Sequence, residues 1–199
     1  MAYPDPIDKH EEDSGLAHII SQAAALPVPL LRELLRAQPT CAAMPQAEVL
    51  LRTQRVPCPL AEVFPFFAHA ENLQRLTPAF LDFRILTPLP IPMQIGTLID
   101  YRIRLHGVPM RWRTRISAWQ PPHRFADEQL RGPYRQWWHE HLFAEVEGGT
   151  LITDRVVFRS PLSWLAHPLL VRRQLARIFD YRQKIIADRF GSTEPPQKR

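Results

Sequence analysis

The fold is decided by one stretch, residues 96–159, which reads GTLIDYRIRLHGVPMRWRTRISAWQPPHRFADEQLRGPYRQWWHEHLFAEVEGGTLITDRVVFR. Apolar and polar residues alternate along much of it, and short turn signals interrupt the alternation. Period-two alternation is typical of strands that bury one face. Gly148-Gly149 is a strong signal for a tight hairpin, and Gly107 lies at a second turn. The stretch therefore predicts an antiparallel meander, because parallel strands would need long crossovers.

Further elements flank this stretch on both sides. Upstream, residues 49–56 and 80–87 predict strands, and two short helices are predicted between them at 60–67 and 71–76. Downstream, residues 167–190 predict one long helix with an apolar stripe. The predicted strands of the meander are residues 96–106, 109–119, 125–131, 134–147 and 150–159.

These elements predict the α+β class and a helix-grip fold. In it, a curved antiparallel sheet of about seven strands wraps around one long C-terminal helix, with two short helices after the first strand. The long helix is the only predicted element large enough to cover the sheet. Because such sheets twist and coil, we expect a cavity between the sheet and the helix.

The 199 residues divide by composition into three segments. Residues 1–46 form a Pro-rich N-terminal appendage with short helical pieces, which we expect to dock on the main domain or on a second subunit of a homodimer. Residues 47–190 form the helix-grip ligand-binding domain, and residues 191–199 form a polar tail.

Composition also indicates the cellular compartment of the protein and the class of partner that it binds. Cys41 and Cys58 have neither metal-ligand nor CxxC spacing, which fits a reducing compartment. No apolar run reaches the ~20 residues that a membrane span needs, and the first residues are acidic, unlike a signal peptide. We interpret the chain as soluble and cytoplasmic, with no membrane span. A net charge of +5 can attract nucleic acid or an anionic membrane surface, but we favour an arginine-rich composition with scattered, solvated charges.

Several short motifs give a family resemblance over residues 48–190. They are GTLIDY at 96–101, WQPP at 119–122, FADEQ at 125–129, GPY at 132–134, WWHEHLF at 137–143, Gly149-Thr150 and Asp154. In this order, the chain resembles the START-like, or Bet v 1-like, superfamily, also described as the polyketide cyclase/dehydrase and lipid-transport group, in its bacterial ligand-binding branch. The resemblance implies a helix-grip fold and an internal pocket for hydrophobic molecules. It implies no single reaction, since members include carriers, sensors and enzymes.

The resemblance has one departure, at residues 160–168. Relatives commonly carry a Gly-containing loop before the long helix, and this segment has no glycine. The resemblance therefore does not define the mouth of the pocket.

The hairpin around Gly107 predicts the lining of that pocket. With Gly107-Val108 as the turn, Ile103 pairs with Trp112, and one apolar face results. Together with the long helix, this face gives the predicted ligand-binding side chains: Tyr101, Ile103, Leu105, Trp112, Thr114, Ile178, Phe179 and Arg182.

The opposite face of the same hairpin is rich in arginine. It carries Asp100, Arg102, Arg104, Arg111, Arg113 and Arg115. One interpretation is a surface that binds anions or nucleic acid. However, RNA-reading sheets usually interleave aromatic residues with the basic ones, and here the aromatic residues lie on the other face. We favour a solvated outer face that acids of neighbouring strands partly neutralise, and we predict no nucleic-acid partner.

The hairpin at Gly148-Gly149 predicts a polar group inside the pocket. If Glu147 pairs with Thr150, then Asp154 lies diagonal to His141, close enough for a hydrogen bond that raises the pKa of His141. His139 shares this face. The pair is either an acid–base group or a structural contact. We favour the structural contact, so no catalytic residue is assigned, and His141, Asp154 and Tyr101 remain the candidates.

Two further hypotheses concern charges in the pocket. His139 and His141 could both face a metal ion with His106 as a third ligand, but we predict no metal and no cofactor. Arg182 falls inside the apolar stripe of the long helix, and a buried guanidinium needs a partner. That partner is Asp100, Asp127, Asp154 or an anionic group of the ligand.

The leading predicted function is binding, for transport or sensing, of a hydrophobic small molecule in an internal cavity. One alternative is a cyclase/dehydrase- or aromatase-like enzyme that acts on a polyketide or another lipophilic substrate. Another is an interaction module that uses the arginine-rich sheet face. The sequence has no GxSxG, HExxH, P-loop or GxGxxG pattern, and it leaves open whether the protein is an enzyme.

Overall fold

A computed structural model of the chain describes residues 47–105, 107–160 and 168–192. The predictions for the appendage at 1–46, for His106, for most of the loop before the long helix and for most of the tail lie outside the described residues.

Seven strands and two α-helices follow one another in the described part of the chain. They are β1 (Glu48–Val56), α1 (Leu60–Ala68), β2 (Arg84–Ile85), β3 (Leu98–Leu105), β4 (Val108–Gln120), β5 (Arg124–Arg131), β6 (Gln136–Val146), β7 (Gly149–Arg159) and α2 (Pro168–Phe190). Two 3₁₀ helices, Ala70–Gln74 and Ala79–Leu81, lie between α1 and β2. Among these residues, no helix combines the length and the apolar character that a membrane span requires.

The strands form one antiparallel sheet in the order β1-β7-β6-β5-β4-β3-β2. Consecutive strands from β2 to β7 are neighbours, as a meander requires, and β1 closes the sheet beside β7. Leu175 and Phe179 of α2 pack on Val156 and Phe158 of the inner face. The predicted helix-grip fold, with its curved sheet and long C-terminal helix, is confirmed.

Both predicted hairpins form, but each register differs by two residues. Leu105 pairs with Val108 instead of Met110, and Val146 pairs with Gly149, so the turn lies one residue earlier than predicted. Gly107 and Gly148 have φ of 82° and 78°, a conformation that glycine adopts without steric cost. Because side chains alternate with a period of two, a shift of two residues leaves every side chain on its predicted face.

The predicted strand at residues 80–87 is mostly wrong. Only Arg84 and Ile85 pair with β3, while residues 79–81 form a 3₁₀ helix. Asp82 follows in the left-handed conformation, with φ of 40°, which interrupts any extended run. Leu81 and Phe83 are both buried, as alternation predicts, but a 3₁₀ helix and a left-handed residue bring them there instead of an extended strand. The second predicted short helix is likewise a 3₁₀ helix, Ala70–Gln74.

Close contacts join β1 and α1 to the rest of the fold. A Cβ atom on Gly149 would lie 2.0 Å from the backbone oxygen of Val56, so only glycine fits where β7 begins. After β1, Cys58 donates a hydrogen bond from Sγ to the backbone oxygen of Phe190, at 3.3 Å. The Phe190 ring also packs on Phe66 of α1. The C-terminal end of α2 is therefore tied to the connection between β1 and α1.

Candidate ligand cavity and its polar end

A cavity of about 170 Å³ lies between the inner face of the sheet and α2. Apolar and aromatic side chains form most of its wall. All eight side chains predicted to bind a ligand line it: Tyr101, Ile103, Leu105, Trp112, Thr114, Ile178, Phe179 and Arg182. Their contact with a ligand stays a prediction.

Aromatic rings form one continuous part of the wall. Tyr101 stacks on Trp112 with 5.6 Å between ring centroids, and Trp137 meets Trp112 edge to face at 5.3 Å. Tyr134 packs on Trp137 at 4.7 Å. Burial raises the pKa of the Tyr101 phenol well above its usual value, so this group stays protonated. The rings give this side of the cavity an apolar, closely packed surface.

Another part of the wall comes from segments that the sequence did not place there. Phe67 of α1 and seven residues between it and β3 also line the cavity: Ala70, Leu73, Leu76, Thr77, Leu81, Phe83 and Met93. Their contribution depends on how the 3₁₀ helices and the loop between β2 and β3, which contains Pro88, Pro90 and Pro92, fold back on the sheet. Local periodicity carries no signal for that path.

The cavity has a polar end built by β5, β6, β7 and α2. His139 and His141 project from β6, and both line the cavity together with Asp127 of β5 and Arg182 of α2. Asp154 of β7 lies directly opposite His141 and is not part of the cavity wall, which corrects the predicted diagonal placement. The two-residue change of register explains the difference.

Asp154 contacts three buried side chains at this end. Its Oδ1 lies 3.0 Å from Nε2 of His139 and 2.7 Å from Nδ1 of His141. Its Oδ2 lies 3.4 Å from Nε of Arg182, so Asp154 is the partner of the guanidinium. Asp100, another predicted partner, instead accepts hydrogen bonds from Arg113.

The environment shifts three pKa values at the polar end. Burial lowers the pKa of His141 to about 3, which contradicts the predicted rise, since burial and the nearby His139 outweigh the attraction of Asp154. Burial alone would raise the pKa of Asp154, but Arg182, His141 and the hydrogen bonds from the histidines hold it well below its usual value. Burial raises the pKa of Asp127 to about 6.

The outer face of β3 and β4 carries the arginines as predicted. Arg113 forms a bidentate pair with Asp100 at 2.7 and 2.8 Å, and Arg115 pairs with Glu128 of β5. Arg102 lies 3.2 Å from Asp82. Acids of neighbouring segments thus neutralise part of the charge, which fits a solvated outer face better than a binding surface.

Sequence reasoning missed a buried ion-pair group on the outer face of β5, β6 and β7. Glu140 is fully buried, and its carboxylate lies 2.6 Å from Nε of Arg124 and 2.8 Å from a terminal nitrogen of Arg155. Arg155 also lies over the ring of Trp138. Alternation places Glu140 on the outer face correctly, but alternation does not tell whether that face is covered.

Solved structures share the fold at low sequence identity. A protein of Mycobacterium smegmatis has a TM-score of 0.52 at 17% identity, over 69% of this chain and 87% of its own. The major latex-like protein of Panax ginseng reaches 0.54 at 10% identity, over 72% and 97% of the two chains. The norcoclaurine synthase of Thalictrum flavum reaches 0.52 at 13% identity, over 72% and 96%. These likenesses show the fold alone.

Sequence comparison gives the family directly. No curated protein matches the chain significantly. The family described as polyketide cyclase/dehydrase and lipid transport matches residues 56–184, which is more than half of the chain and covers all the cavity-lining strands. The chain therefore belongs to the polyketide cyclase/dehydrase and lipid transport family.

Proposed function

We propose that the protein binds a hydrophobic small molecule, for transport or sensing, in the cavity between its sheet and α2. The observation that carries this proposal is the cavity itself, about 170 Å³ with a mostly apolar wall. Folded cores are close-packed and hold few voids larger than a water molecule, so a space of this size needs an explanation. Membership of a family that includes lipid transport supports the same function.

The volume sets the size of the molecule that fits without rearrangement. An apolar cavity of about 150 Å³ is large enough to bind benzene. The cavity here is slightly larger, so it accommodates an apolar group about the size of one substituted ring. A longer lipid would need α2 to move away from the sheet.

The polar end adds a requirement on ligand chemistry. Apolar walls with a few placed polar groups are typical of small-molecule sites, where the polar groups fix the orientation. Asp127 and Arg182 line the cavity beside the two histidines. The ligand that fits best is therefore an apolar body with one polar end.

Binding is better supported than the enzyme alternative. That alternative relied on Tyr101, His141 and Asp154, but Asp154 lies outside the cavity wall. With its pKa lowered to about 3, His141 is also a weak base. The interaction-module alternative relied on the arginine face, whose charges are partly paired.

The proposal is tested first on freshly purified protein. Native mass spectrometry, followed by solvent extraction, should reveal a co-purified apolar molecule of defined mass. Titration with a fluorescent apolar probe should give saturable binding at one site per chain. Absence of both a bound molecule and saturable probe binding would overturn the proposal.

A matched pair of variants on α2 then locates the probe. Ile178 lines the cavity, and Ile178→Trp should fill it and weaken probe binding at least tenfold. Leu170 lies on the same helix with 51% of its surface exposed, and Leu170→Trp should bind the probe as the wild type does. Equal binding by all three proteins would place the probe outside the cavity.

A further inference from the structure

We propose that Asp127, His139 and His141 bind a divalent transition-metal ion at the wall of the cavity. One donor atom from each side chain lies within 4.8 Å of the others, and all three side chains line the cavity. The inference does not rest on the proposed function, because the metal can be measured on protein that holds no apolar ligand.

Topology brings the three donors together. His139 and His141 are two residues apart on β6, so they project to the same face, and their ring centroids lie 3.9 Å apart. Asp127 pairs directly with His139 across β5 and β6. The donors thus come from adjacent positions of one rigid sheet, which favours a precise site over one built on loops.

Asp154 fixes which nitrogen of each histidine is available. Its Oδ1 lies 3.0 Å from Nε2 of His139 and 2.7 Å from Nδ1 of His141. A carboxylate only accepts hydrogen bonds, and its lone pairs repel an unprotonated nitrogen at these distances. Nη2 of Arg182 also lies 3.3 Å from Nδ1 of His141, but the contact of Asp154 with that nitrogen is shorter, so we assign the protons to the two nitrogens beside Asp154. Each ring then keeps one unprotonated nitrogen, Nδ1 of His139 and Nε2 of His141. Metal-binding histidines usually donate their other N–H to a carboxylate in this way.

The spacing between His139 and Asp127 requires only a small adjustment. With metal–ligand bonds of about 2.1 Å, tetrahedral donor atoms lie about 3.4 Å apart. Nδ1 of His139 is 3.9 Å from Oδ1 of Asp127, too long for a hydrogen bond and close to the distance between two ligands of one ion. The Asp127 side chain is 18% exposed, so it has room to rotate toward the histidines.

The local charge also permits a cation. With neutral imidazoles, the charged groups are the carboxylates of Asp127 and Asp154 and the guanidinium of Arg182. Arg182 is held at 3.4 Å by Asp154, so its charge is largely matched. The group has a net charge of −1 before the metal binds, and a divalent ion is attracted rather than repelled.

The donor set indicates the class of ion and what it would contact. Two imidazoles and one carboxylate suit Zn²⁺, Co²⁺ and Fe²⁺ rather than Mg²⁺ or Ca²⁺, which prefer oxygen donors. Three protein ligands leave at least one coordination position open. Because all three donors line the cavity, a molecule in the cavity with one oxygen-bearing end would be close enough to occupy that position.

The test uses untagged, full-length protein stripped with a chelator and titrated with CoCl₂. We expect visible d–d absorption that saturates at one Co²⁺ per chain, with displacement by Zn²⁺. Asp127→Asn and His139→Ala should each weaken Co²⁺ affinity at least tenfold. The control is His69→Ala, which changes an exposed histidine outside the cavity and should bind Co²⁺ as the wild type does.

Two results would overturn the proposal. One is a wild type without saturable Co²⁺ absorption. The other is equal Co²⁺ affinity in the wild type and in Asp127→Asn, which would place the ion on other side chains. Circular dichroism checks the fold of each variant. Should His139→Ala fail to fold, Asp127→Asn decides alone, because it replaces a less buried group by one of the same shape. Probe binding is measured separately, so failure of the metal site and failure of the apolar site are distinguishable.

Discussion

Asp154 is the buried carboxylate on which His139, His141 and Arg182 converge. We expect Asp154→Asn to lower the free energy of unfolding by about 3–5 kcal/mol, because it leaves the Arg182 guanidinium buried without its counter-charge. Urea denaturation of chelator-treated protein, monitored by tryptophan fluorescence, gives this value.

A matched change on the surface controls for the loss of a negative charge. Asp180 is 66% exposed and lies 3.8 Å from Arg52. Asp180→Asn should change stability by less than about 0.5 kcal/mol, as expected for an exposed ion pair. A similar small effect in Asp154→Asn would mean that water, not Asp154, satisfies Arg182.

Asp127 gives the fold a pH dependence of the opposite sign to that of Asp154. Its pKa of about 6 in the folded protein exceeds the unfolded value of about 3.9, so the folded state favours the protonated acid. Protonated Asp127 therefore contributes to the free energy of unfolding, in full below about pH 3.9. This contribution is lost as the pH rises through about 6. In chelator, we expect the wild type to lose about 2 kcal/mol relative to Asp127→Asn between pH 4 and pH 7.

The measurement is a series of urea melts of both proteins across this pH range. The difference between the two proteins isolates Asp127 from the other carboxylates. Parallel curves would show that Asp127 is solvated in the folded protein and titrates normally.

The sheet face of an individual residue was predictable, because side chains alternate between faces along a strand. His139, His141 and Asp154 were correctly placed on one face, because that depends only on odd or even spacing along a hairpin. Asp127 was named only as one option for Arg182, because its position beside His139 depends on the register between β5 and β6. The pKa of His141 was predicted with the wrong sign, because burial is a property of the folded core.

The hairpin of β6 and β7 depends on Gly149, where β7 begins against the end of β1. Gly149→Ala should destabilise the fold by about 3 kcal/mol or more, because the new Cβ overlaps the backbone oxygen of Val56 and also strains the backbone. Gly148→Ala is the control, since Gly148 also has positive φ but has no atom within 4 Å of an added Cβ. It should cost only about 1 kcal/mol. Thermal melts of both variants give the comparison, and equal losses would contradict the close contact.

At the level of elements, long periodic segments were predictable and short irregular ones were not. β3 to β7 and α2 begin and end within about two residues of their predicted bounds, since each carries a strong apolar pattern. Turn position was wrong by one residue in both hairpins, because adjacent turn residues compete for the positive-φ position. The segment at 79–85 was wrong because residues 79–81 form a 3₁₀ helix and Asp82 takes the left-handed conformation. Alternation correctly puts Leu81 and Phe83 on one side, but it carries no signal for this bend.

For the molecule as a whole, a bound apolar probe should raise stability. A ligand that binds only the folded state stabilises it by about 2.7 kcal/mol at 100 times its Kd. We expect a rise in Tm of several degrees that grows with probe concentration, measured by circular dichroism. The Ile178→Trp variant should show a smaller rise at the same probe concentration. A concentration-independent Tm in the wild type would contradict an enclosed site.

Contacts at the C-terminal end of α2 favour rotation of the helix about that end. Its C-terminal end is tied by Cys58 and Phe66, while Gln174, Leu175 and Ile178 toward the other end line the cavity. At 1.5 Å per residue, its 23 residues span about 34 Å, so a rotation of only about 5° at the tied end displaces the far end by about 3 Å. Hydrogen exchange should therefore be faster for amides at 172–178 than at 183–189, and uniform protection would contradict such a pivot. Such a tilt would admit a molecule while every strand stays paired, and it would break the contacts of Arg172 with Glu48 and of Leu175 with Val156.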